Sequence, residues 1–430
     1  MTNSMNRRDV LKLFGATAGA AGLGGLAACT PQARKGGSTG GDAKAKNFTF
    51  LAWEFTAGPF KAPLQGYVDQ YAKAHDLHVK TTAFPYVQYL NQFTLQTRGG
   101  QFTGLAQFDV SWLAAADALG KLRDLGDAAK GKGYTETALK SGQLNGKQLG
   151  LPWSTASIGL IGNQELLDKA KVTEPPTTLD DFVEALQMIK GRAKVLPYAA
   201  MTKSDELKDI VMWMQTFGSP IVEGDRVTIG DDASIEAMTW YKSLLDKKLI
   251  GASVNRDDAR ALFAHGKAAI FDDAIVGKGI VASETKDKGL VQAMTPMVRP
   301  VQSSGDSPQE RLWGHVLVVV EGTGSDAATD FGAWLSTDEK TVLDYFTKFT
   351  LPPTTEKTLA SPTFTKDEFA SAWTKKITST ATPDPLWKYV KYTQMESALA
   401  EQVQAVLVGK SSPKAAMTTA GEQMRKLTSS

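Results

Sequence analysis

The stretch Asn47-Phe48-Thr49-Phe50-Leu51-Ala52-Trp53 marks the predicted start of the folded part of the chain. Its alternation and its aromatic and β-branched residues predict a strand. A helical spacing of apolar residues follows over 59–75, then a strand at His78–Thr82, a helix over 88–96 and a strand at Phe108–Trp112. Because strands that alternate with helices form parallel or mixed sheets, the predicted fold class is α/β.

Polar and aromatic side chains stand at or near the carboxyl ends of these predicted strands, where ligands bind in open α/β sheets. Trp53 and Glu54 follow the first strand. Asp109 and Trp112 lie at the end of the third, and Gln88 opens the second helix. The carboxylates and the amide suit hydrogen bonds to hydroxyl groups, although capping of a strand end or simple exposure to solvent explains them equally well. We interpret all five as candidate ligand contacts.

The rest of the chain continues the alternation. Further strands are predicted at 158–163, 267–271 and 316–320. Further helices are predicted at 164–170, after the capping residues Thr177 and Thr178, and at 206–217, 232–248, 257–265, 325–336, 338–348, 384–409 and 413–427. A chain this long exceeds the usual size of a single core, so two or more domains are expected.

The N-terminus predicts export and lipid anchoring. Arg7-Arg8 precedes an apolar run, Leu13–Ala28, and the pair resembles a twin-arginine export signal. Leu26-Ala27-Ala28-Cys29 resembles a bacterial lipobox, whose cysteine is lipidated and becomes the first mature residue. A membrane-spanning anchor is the alternative, but 16 residues with five glycines make a short span. We expect residues 1–28 to be a signal peptide and the mature protein to be anchored outside a bacterial cell membrane, facing the periplasm or the exterior.

The composition argues against an intramolecular disulfide and against nucleic acid as a partner. Cys29 is the only cysteine, which excludes an intramolecular disulfide. Removal of residues 1–28 would leave 402 residues with 45 basic and 45 acidic side chains, so no basic excess favours nucleic acid. Residues 29–46 are rich in Gly, Ser, Lys and Ala, which is typical of a flexible tether.

Six segments, taken together, resemble a known family. They occur in family order: the lipobox; Phe108-Asp109-Val110 with Trp112; Gly146 to Trp153; Leu160 to Asn163 with Leu166-Leu167 and Pro175-Pro176-Thr177-Thr178; Phe263 to Ile270; and Pro385-Leu386-Trp387 ahead of Leu407 to Pro413. The chain resembles the extracellular solute-binding proteins of ABC carbohydrate importers, family 1, the group typified by maltose-binding protein.

The resemblance implies a type II periplasmic-binding-protein fold of two α/β lobes joined by three crossovers, with the ligand cleft between them. Lobe one would comprise 47–153 with 297–350, and lobe two 154–296 with 351–430. The crossovers would lie near Trp153–Ser157, Thr295–Met297 and Leu351–Pro353. Such proteins close on their ligand by a hinge motion, and the permease subunits of the importer recognise the closed form. The resemblance also implies a monomer.

Tryptophans supply the candidate surfaces for a sugar, because an indole ring offers a large apolar face and one hydrogen-bond donor. Trp53, Trp112, Trp153, Trp313 and Trp387 sit in predicted loops beside polar residues. This position makes all five candidate ligand contacts, although core packing explains Trp313 at least as well. The family pattern adds most weight to Trp153 and Trp387. Trp240, Trp334 and Trp373 lie in predicted helices and are expected in the core.

One segment departs from the family pattern. After Lys267-Ala268-Ala269 the family often carries a Gly and a stacking Trp, whereas this chain continues Asp272-Asp273 with no aromatic residue. A more polar site, a smaller sugar, or compensation by Trp213 or Trp313 would each explain the change. We therefore add Asp272, Asp273, Trp213 and His315 to the candidate ligand contacts, although His315 also suits a hydrogen bond at a strand start.

Two alternatives to sugar capture stay open. Glu54, Asp109 and Asp272-Asp273 contain the carboxylates that glycoside hydrolysis needs, but no motif sets two of them across a bond. The sequence has no nucleophile elbow, phosphate loop, dinucleotide glycine motif or histidine cluster, so we expect no catalytic residues, no cofactor and no metal. Within binding, the alternative is another polar solute: a glycerol-phosphate ester, a polyamine or a peptide.

Overall fold

One large mixed sheet organises the chain in this computed structural model, which describes residues 42–56, 58–204 and 207–428. Cys29, the predicted signal peptide and most of the predicted tether lie outside these residues. Among the described residues, no helix has the length and apolar character that a bilayer crossing requires. The strands are β1 Asn47–Leu51, β2 His78–Thr82, β3 Gly104–Asp109, β4 Gln143–Leu144, β5 Lys147–Gln148, β6 Gly150–Asn163, β7 Leu196–Ala199, β8 Val222–Glu223, β9 Arg226–Val227, β10 Ala268–Ala274, β11 Met294–Met297, β12 Glu310–Val320 and β13 Ala381–Thr382.

Helices cover both sides of the sheet. The α-helices are α1 Gly58–His75, α2 Tyr86–Arg98, α3 Leu113–Asp117, α4 Gly126–Ala129, α5 Glu136–Ser141, α6 Gln164–Ala170, α7 Leu179–Met188, α8 Ile210–Thr216, α9 Asp232–Asp246, α10 Arg256–Ala264, α11 Gly277–Glu284, α12 Lys288–Gln292, α13 Ser325–Thr337, α14 Glu339–Phe349, α15 Glu356–Leu359, α16 Pro362–Thr365, α17 Glu368–Lys376, α18 Tyr392–Leu407 and α19 Pro413–Thr428. Short 3₁₀ turns occupy Trp53–Thr56, Val110–Trp112, Leu207–Asp209, Thr378–Thr380 and Pro385–Lys388, and Ile189–Ala193 is a π turn.

The strand order confirms the predicted α/β class. In the described part of the chain the order is β2-β1-β3-β12-β6-β10-β7, with β11 added on β6 and β13 on β12. β1 pairs in parallel with β2 and β3, and β10 pairs in parallel with β7. We call the side of β2, β1 and β3 lobe one, and the side of β10 and β7 lobe two.

Two long antiparallel strands, β6 and β12, connect the lobes. The first half of β6 pairs with β12, and its second half pairs with β10 and β11. β12 in turn pairs with β3 over residues 315–320, and its pairing with β6 shifts register between His315 and Val316. Gly314 lies beside that irregularity, and a Cβ there would meet the Ser154 carbonyl oxygen at 2.2 Å. Glycine is therefore required where these two strands pass between the lobes.

The apolar core is divided in the same way as the sheet. In lobe one, Phe50 packs edge-on against Phe331 at 5.6 Å between ring centroids. In lobe two, Trp373 is fully buried and its Nε1 donates a hydrogen bond to Ser157 Oγ at 3.1 Å. Trp240 and Trp334, also predicted in the core, are partly buried at the edges of these clusters. Each lobe therefore has its own hydrophobic core, which holds the strands that pass between the lobes.

Residues 297–309, which the sequence division placed in lobe one, contact lobe two. The Val301 amide donates to the Thr177 carbonyl at 2.9 Å, and Arg299 pairs with Asp272 at 2.5 Å. The expected crossover at Thr295–Met297 is β11, which pairs with the far end of β6. On these contacts we propose that the chain passes between the lobes within β12 instead. The segment at Leu351–Pro353 runs beside β6, where the Thr155 amide donates to the Pro352 carbonyl at 3.4 Å.

Candidate functional site

A cavity of about 250 Å³ lies where the carboxyl end of β3 faces the end of β10. Lobe one contributes Tyr86, Asp109 and Ser111, and lobe two contributes Arg256, Arg260, Asp273, Trp387 and Tyr392, with Arg311, Trp313, Ile158, Ala274 and Val276 between. Three other hollows, of about 400, 430 and 700 Å³, are larger, but each is a groove on the outside of one lobe. The position at the strand ends, with walls from both lobes, marks the smaller cavity as the candidate site.

Asp109 organises the lobe-one wall. It ends β3 and caps the 3₁₀ turn Val110–Trp112, so its Oδ1 accepts hydrogen bonds from the Ser111 amide at 3.0 Å and the Ser111 hydroxyl at 2.6 Å. The Tyr86 hydroxyl donates to Asp109 Oδ2 at 3.0 Å. The carboxylate is almost fully buried and carries three hydrogen bonds, so it is held rigidly at the cavity wall.

Aromatic rings fill the space behind this wall. The half-buried Trp53 packs edge-on against Tyr86, Trp112 and His315, with centroid distances of 5.4, 5.6 and 5.0 Å. Trp112 is buried and also stacks on Tyr89 at 5.7 Å. Trp53 and Trp112 therefore hold Tyr86 in place, and it is Tyr86 that lines the cavity.

Ion pairs build the lobe-two wall. Asn255 caps α10, and the helix that it starts places Arg256 and Arg260 one turn apart on the same face. Arg260 donates to Asp273 with two nitrogens, at 2.7 and 3.0 Å, and the Asp273 Oδ1 also accepts from the Ala274 amide at 2.8 Å. Burial opposes the charge of Arg260, but Asp273 outweighs it, so the pKa of Arg260 is raised.

Two further arginines strengthen this wall. Arg256 donates to Asp209, and its guanidinium lies 3.9 Å from Asp273. Arg311, on β12, pairs with Asp384 at 2.6 Å. Because Asp384 caps the 3₁₀ turn Pro385–Lys388, this ion pair fixes the turn that carries Trp387. The carboxylates orient the guanidinium groups and offset their charge.

Asp272 and Trp213, both candidate ligand contacts from the sequence, lie away from the cavity in the core of lobe two. Successive side chains of a strand point to opposite faces, so Asp273 reaches the cavity while Asp272 points inward to Arg299. The Arg299 guanidinium lies over the Trp213 ring at 4.4 Å, and Trp213 is only 1% exposed. Glu310 completes the cluster by accepting from the Arg299 amide at 2.7 Å, and burial raises its pKa to about 7.

Glu54, Trp153 and His315 form a separate buried group where β6 and β12 pass between the lobes. Glu54 Oε1 accepts from Tyr345 at 2.6 Å and from Gln107 at 2.9 Å, and lies 3.8 Å from His315 Nδ1. Trp153 stacks on Tyr345 at 5.0 Å. Burial raises the pKa of Glu54 to about 7 despite these hydrogen bonds, and lowers that of His315 to about 4.

The structure thus brings four of the twelve candidate residues to the cavity: Asp109, Asp273, Trp313 and Trp387. Gln88 is exposed on α2 and is not among the lining residues. Among the described residues, no group of three or more His, Cys, Asp or Glu is arranged to hold a metal ion.

A family model described as bacterial extracellular solute-binding protein matches residues 66–371, which is most of the chain. This chain belongs to that family. Solute-binding proteins of solved structure share its fold. The GacH receptor of Streptomyces glaucescens, solved unliganded and with acarbose, is 23% identical with a TM-score of 0.76, over 89% of this chain and 98% of that one. Maltose-bound MalE3 of T. maritima is 18% identical with a TM-score of 0.76, over 89% and 99%.

A curated relative in Brucella abortus (strain 2308), named only as a binding protein, is 24% identical over 231 residues, or 50% of this chain. The match spans 56% of that relative, so the chain covers about half the length of the curated relatives it matches. These similarities confirm the predicted two-lobe fold and the membership of an extracellular solute-binding family.

Sequence reasoning missed the arginines of this solute-binding protein's lobe-two wall. Arg256 and Arg260 stand in a stretch with two acidic residues, Asn255-Arg256-Asp257-Asp258-Ala259-Arg260-Ala261, which is typical of an exposed amphipathic helix. The available signal was the i,i+4 spacing of the two arginines, which places them on one face. Their partners, Asp209 and Asp273, are 47 and 13 residues away and come together only in the fold.

Proposed function

We propose that this protein captures an extracellular carbohydrate in the cavity between its lobes and delivers it to an ABC importer. The observation that carries the proposal is the position of Trp387. Its ring lines the cavity and packs against hydrophobic clusters of both lobes. An aromatic face beside directional polar groups suits a sugar, whose C–H faces are apolar and whose edge carries hydroxyls.

The family consists of binding proteins, and the proposed mechanism is binding followed by hinge closure, without chemistry. The turn Pro385–Lys388 of lobe two already lies against α3 of lobe one. A ligand that contacts both walls would add to this contact, and it shifts the open–closed equilibrium by its preference for the closed state. The permease subunits would then receive the closed, monomeric protein.

The direct test is a thermal-shift and calorimetric screen of the full-length chain in mild detergent. Mono-, di- and oligosaccharides form the main panel, with glycerol phosphates, polyamines and peptides as the competing classes. A sugar at 100 times its dissociation constant adds about 2.7 kcal/mol of stability, which a thermal shift resolves. Stabilisation by one of the competing classes alone, with no response to any sugar, would reject carbohydrate capture.

We also propose that Cys29 carries the lipid that holds the mature protein at the cell membrane. Metabolic labelling with a radioactive fatty acid should mark the wild-type chain and leave Cys29→Ala unlabelled. Cell fractionation should find the wild type with membranes and the variant in the soluble fraction, because two or more acyl chains are needed for stable anchoring. Equal labelling of both proteins would refute the assignment.

A further inference from the structure

The two carboxylates that line the cavity are already occupied as hydrogen-bond acceptors. Asp109 accepts three hydrogen bonds, two from Ser111 and one from Tyr86. Asp273 also accepts three, two from Arg260 and one from the Ala274 amide. Neither residue is more than 4% exposed, so little of either carboxylate remains to receive a hydroxyl group of a ligand. They act mainly to orient the groups around them.

Donors remain in the same cavity. Arg260 has five N–H groups, of which Nε and Nη2 donate to Asp273 and Nη1 to the exposed Asp257 at 3.1 Å. The other two N–H groups have no acceptor within the described ranges of the chain, and the side chain is 15% exposed at the cavity wall. Trp387 Nε1 is likewise buried without an acceptor among the residues that the structure describes.

The guanidinium plane of Arg260 is fixed before a ligand arrives. Its paired hydrogen bonds to Asp273 prevent the guanidinium group from rotating. The Asp273 carboxylate is also confined, because it packs so closely on Gly277 that a Cβ there would lie 2.6 Å from its Oδ2. Arg256 and Arg311 add two more guanidinium groups to the same wall. A fixed, planar, charged donor of this kind matches the two oxygens of a carboxylate.

We propose that the solute is an acidic sugar whose carboxylate is bound by Arg260, while the Trp387 indole N–H donates to a ring or hydroxyl oxygen. This inference rests on the proposed function and names the class of carbohydrate that this same cavity takes. A ligand carboxylate supplies two charged acceptors for the two remaining N–H groups of Arg260, whereas the hydroxyl of a neutral sugar offers a single, uncharged acceptor at the same position. The cavity volume of about 250 Å³ lies just below the usual range for small-molecule pockets, which favours a small ligand such as a single sugar ring.

The test is isothermal titration calorimetry on the full-length chain in mild detergent with matched pairs of probes. Galacturonic acid is compared with galactose, and glucuronic acid with glucose, along with the corresponding disaccharides. Glucose 6-phosphate and glucose 6-sulfate test whether another anion satisfies the same donors. At neutral pH the acid of at least one pair should bind about 10- to 100-fold more tightly than its neutral partner, as expected for hydrogen bonds to a charged group.

Variants assign the preference to Arg260. Arg260→Gln should remove the difference between acid and neutral sugar, and Arg260→Lys should restore part of it, because lysine keeps the charge without the planar fork. Arg226→Gln, at an exposed arginine of β9, is the matched control and should keep the full preference. If Arg260→Gln does not fold, Arg260→Lys against wild type still decides the point.

The outcomes distinguish a failure of the acidic-sugar proposal from a failure of the proposed carbohydrate-binding function. Equal or tighter binding of the neutral sugars would overturn the acidic ligand and leave carbohydrate capture standing. A preference for the phosphate or sulfate over every carboxylate would also overturn it, as would an acid preference that survives Arg260→Gln. A failure of every sugar, neutral or acidic, together with binding of a polyamine or peptide, would reject the proposed function itself.

Discussion

The two walls of the cavity hold their carboxylates by different means. On lobe one, Asp109 receives its hydrogen bonds from neutral groups, a tyrosine and a serine. On lobe two, Asp273 receives two of its three from a guanidinium. The first wall is therefore an aromatic surface with one fixed carboxylate, and the second is a set of ion pairs that presents cationic donors.

The two walls therefore differ in role: the lobe-one wall determines the shape of the site, and the lobe-two wall determines its charge. Neutral hydrogen bonds and packed rings define where a ligand can lie, whereas charge-assisted hydrogen bonds decide which functional group it must carry. This difference also predicts that the two sides respond differently to substitution. Removing one partner of a buried ion pair leaves an uncompensated charge, so the ion pairs of lobe two should be the more sensitive to substitution.

The largest effect is expected from breaking the buried ion pair behind the lobe-two wall. Asp272→Ala leaves Arg299, which is 0% exposed, without its strongest partner and should lower the free energy of unfolding by about 3–5 kcal/mol. Urea denaturation monitored by tryptophan fluorescence measures the change. Asp257→Ala, at an 88% exposed carboxylate, is the control and should stay within about 0.5 kcal/mol. Equal stabilities for the two variants would contradict the structural role of the pair.

A pH-dependent stability is expected from Glu54, in the buried group that it forms with Trp153 and His315. Burial raises its pKa from 4.5 to about 7, so the folded protein holds this proton more tightly than the unfolded chain. The stabilisation is therefore fully present below pH 4.5 and is lost as the pH rises through 7, by about 3 kcal/mol. Glu54→Gln cannot ionise, so wild type should lose stability relative to this variant between about pH 5 and 8.

Chemical denaturation of both proteins at about pH 5 and pH 8 makes this comparison. Glu310, whose pKa is also raised to about 7, contributes equally to both proteins and cancels in the difference. His315 has its pKa lowered to about 4 by burial, so it is neutral in both folded proteins over this range, and its titration in the unfolded chain is common to both and also cancels. A difference in stability that is constant with pH would show that Glu54 stays ionised in the folded protein.

The contact between the walls is tested by Trp387→Ala. Loss of a ring that packs against both lobes and lines the cavity should weaken binding of the best sugar about 10- to 100-fold and shift the unliganded protein toward an open form. Calorimetry gives the affinity, and small-angle X-ray scattering gives the radius of gyration. Trp334→Ala, which removes a partly buried ring wholly within lobe one, should lower the melting temperature and preserve affinity.

The smallest effect is expected at Gln88. This side chain is exposed on α2 and lies outside the cavity lining, so Gln88→Ala should change affinity by less than about twofold. Asp109→Ala, in the wall of the same lobe, should weaken binding more strongly because it removes the acceptor that orients Tyr86. A large loss of affinity in the Gln88 variant would mean that the ligand extends beyond this cavity over α2.

The alternation of strands and helices was sufficient to predict the fold, because the predicted strands of residues 47–112 are short, rich in aromatic and β-branched residues, and separated by segments of helical periodicity. Asp109 lies at the end of a buried strand near the position predicted, but the strand predicted at Phe108–Trp112 was wrong in its bounds: β3 ends at Asp109, which caps a 3₁₀ turn over Val110–Trp112. The passage that we propose within β12 was not predicted, because β12 pairs with both β6 and β3 and its one local signal, Gly314 beside the register shift, does not by itself indicate a change of lobe.

Tryptophan positions were harder to predict than carboxylate positions. Trp213 and Trp387 were both candidate ligand contacts, yet Trp213 is enclosed by Arg299 and Phe182 whereas Trp387 faces the cavity. The decisive contact, a buried guanidinium on the Trp213 ring, joins residues 86 positions apart that no local pattern relates. Pairing at such distances along the chain depends on tertiary packing, so periodicity does not reveal it.

The packing of Trp387 against both lobes has a consequence for the difference between the ligand-bound and the empty protein. Any apolar contact that forms across the cavity without ligand favours the closed form in empty molecules as well. In the proposed mechanism, an importer that recognises the closed form would also encounter closed molecules without ligand, and each increment of about 1.4 kcal/mol in ligand-independent contact raises their population about tenfold relative to open molecules. Trp387 therefore lowers the free-energy cost of closure on the ligand, and it also raises the population of closed molecules that carry no ligand.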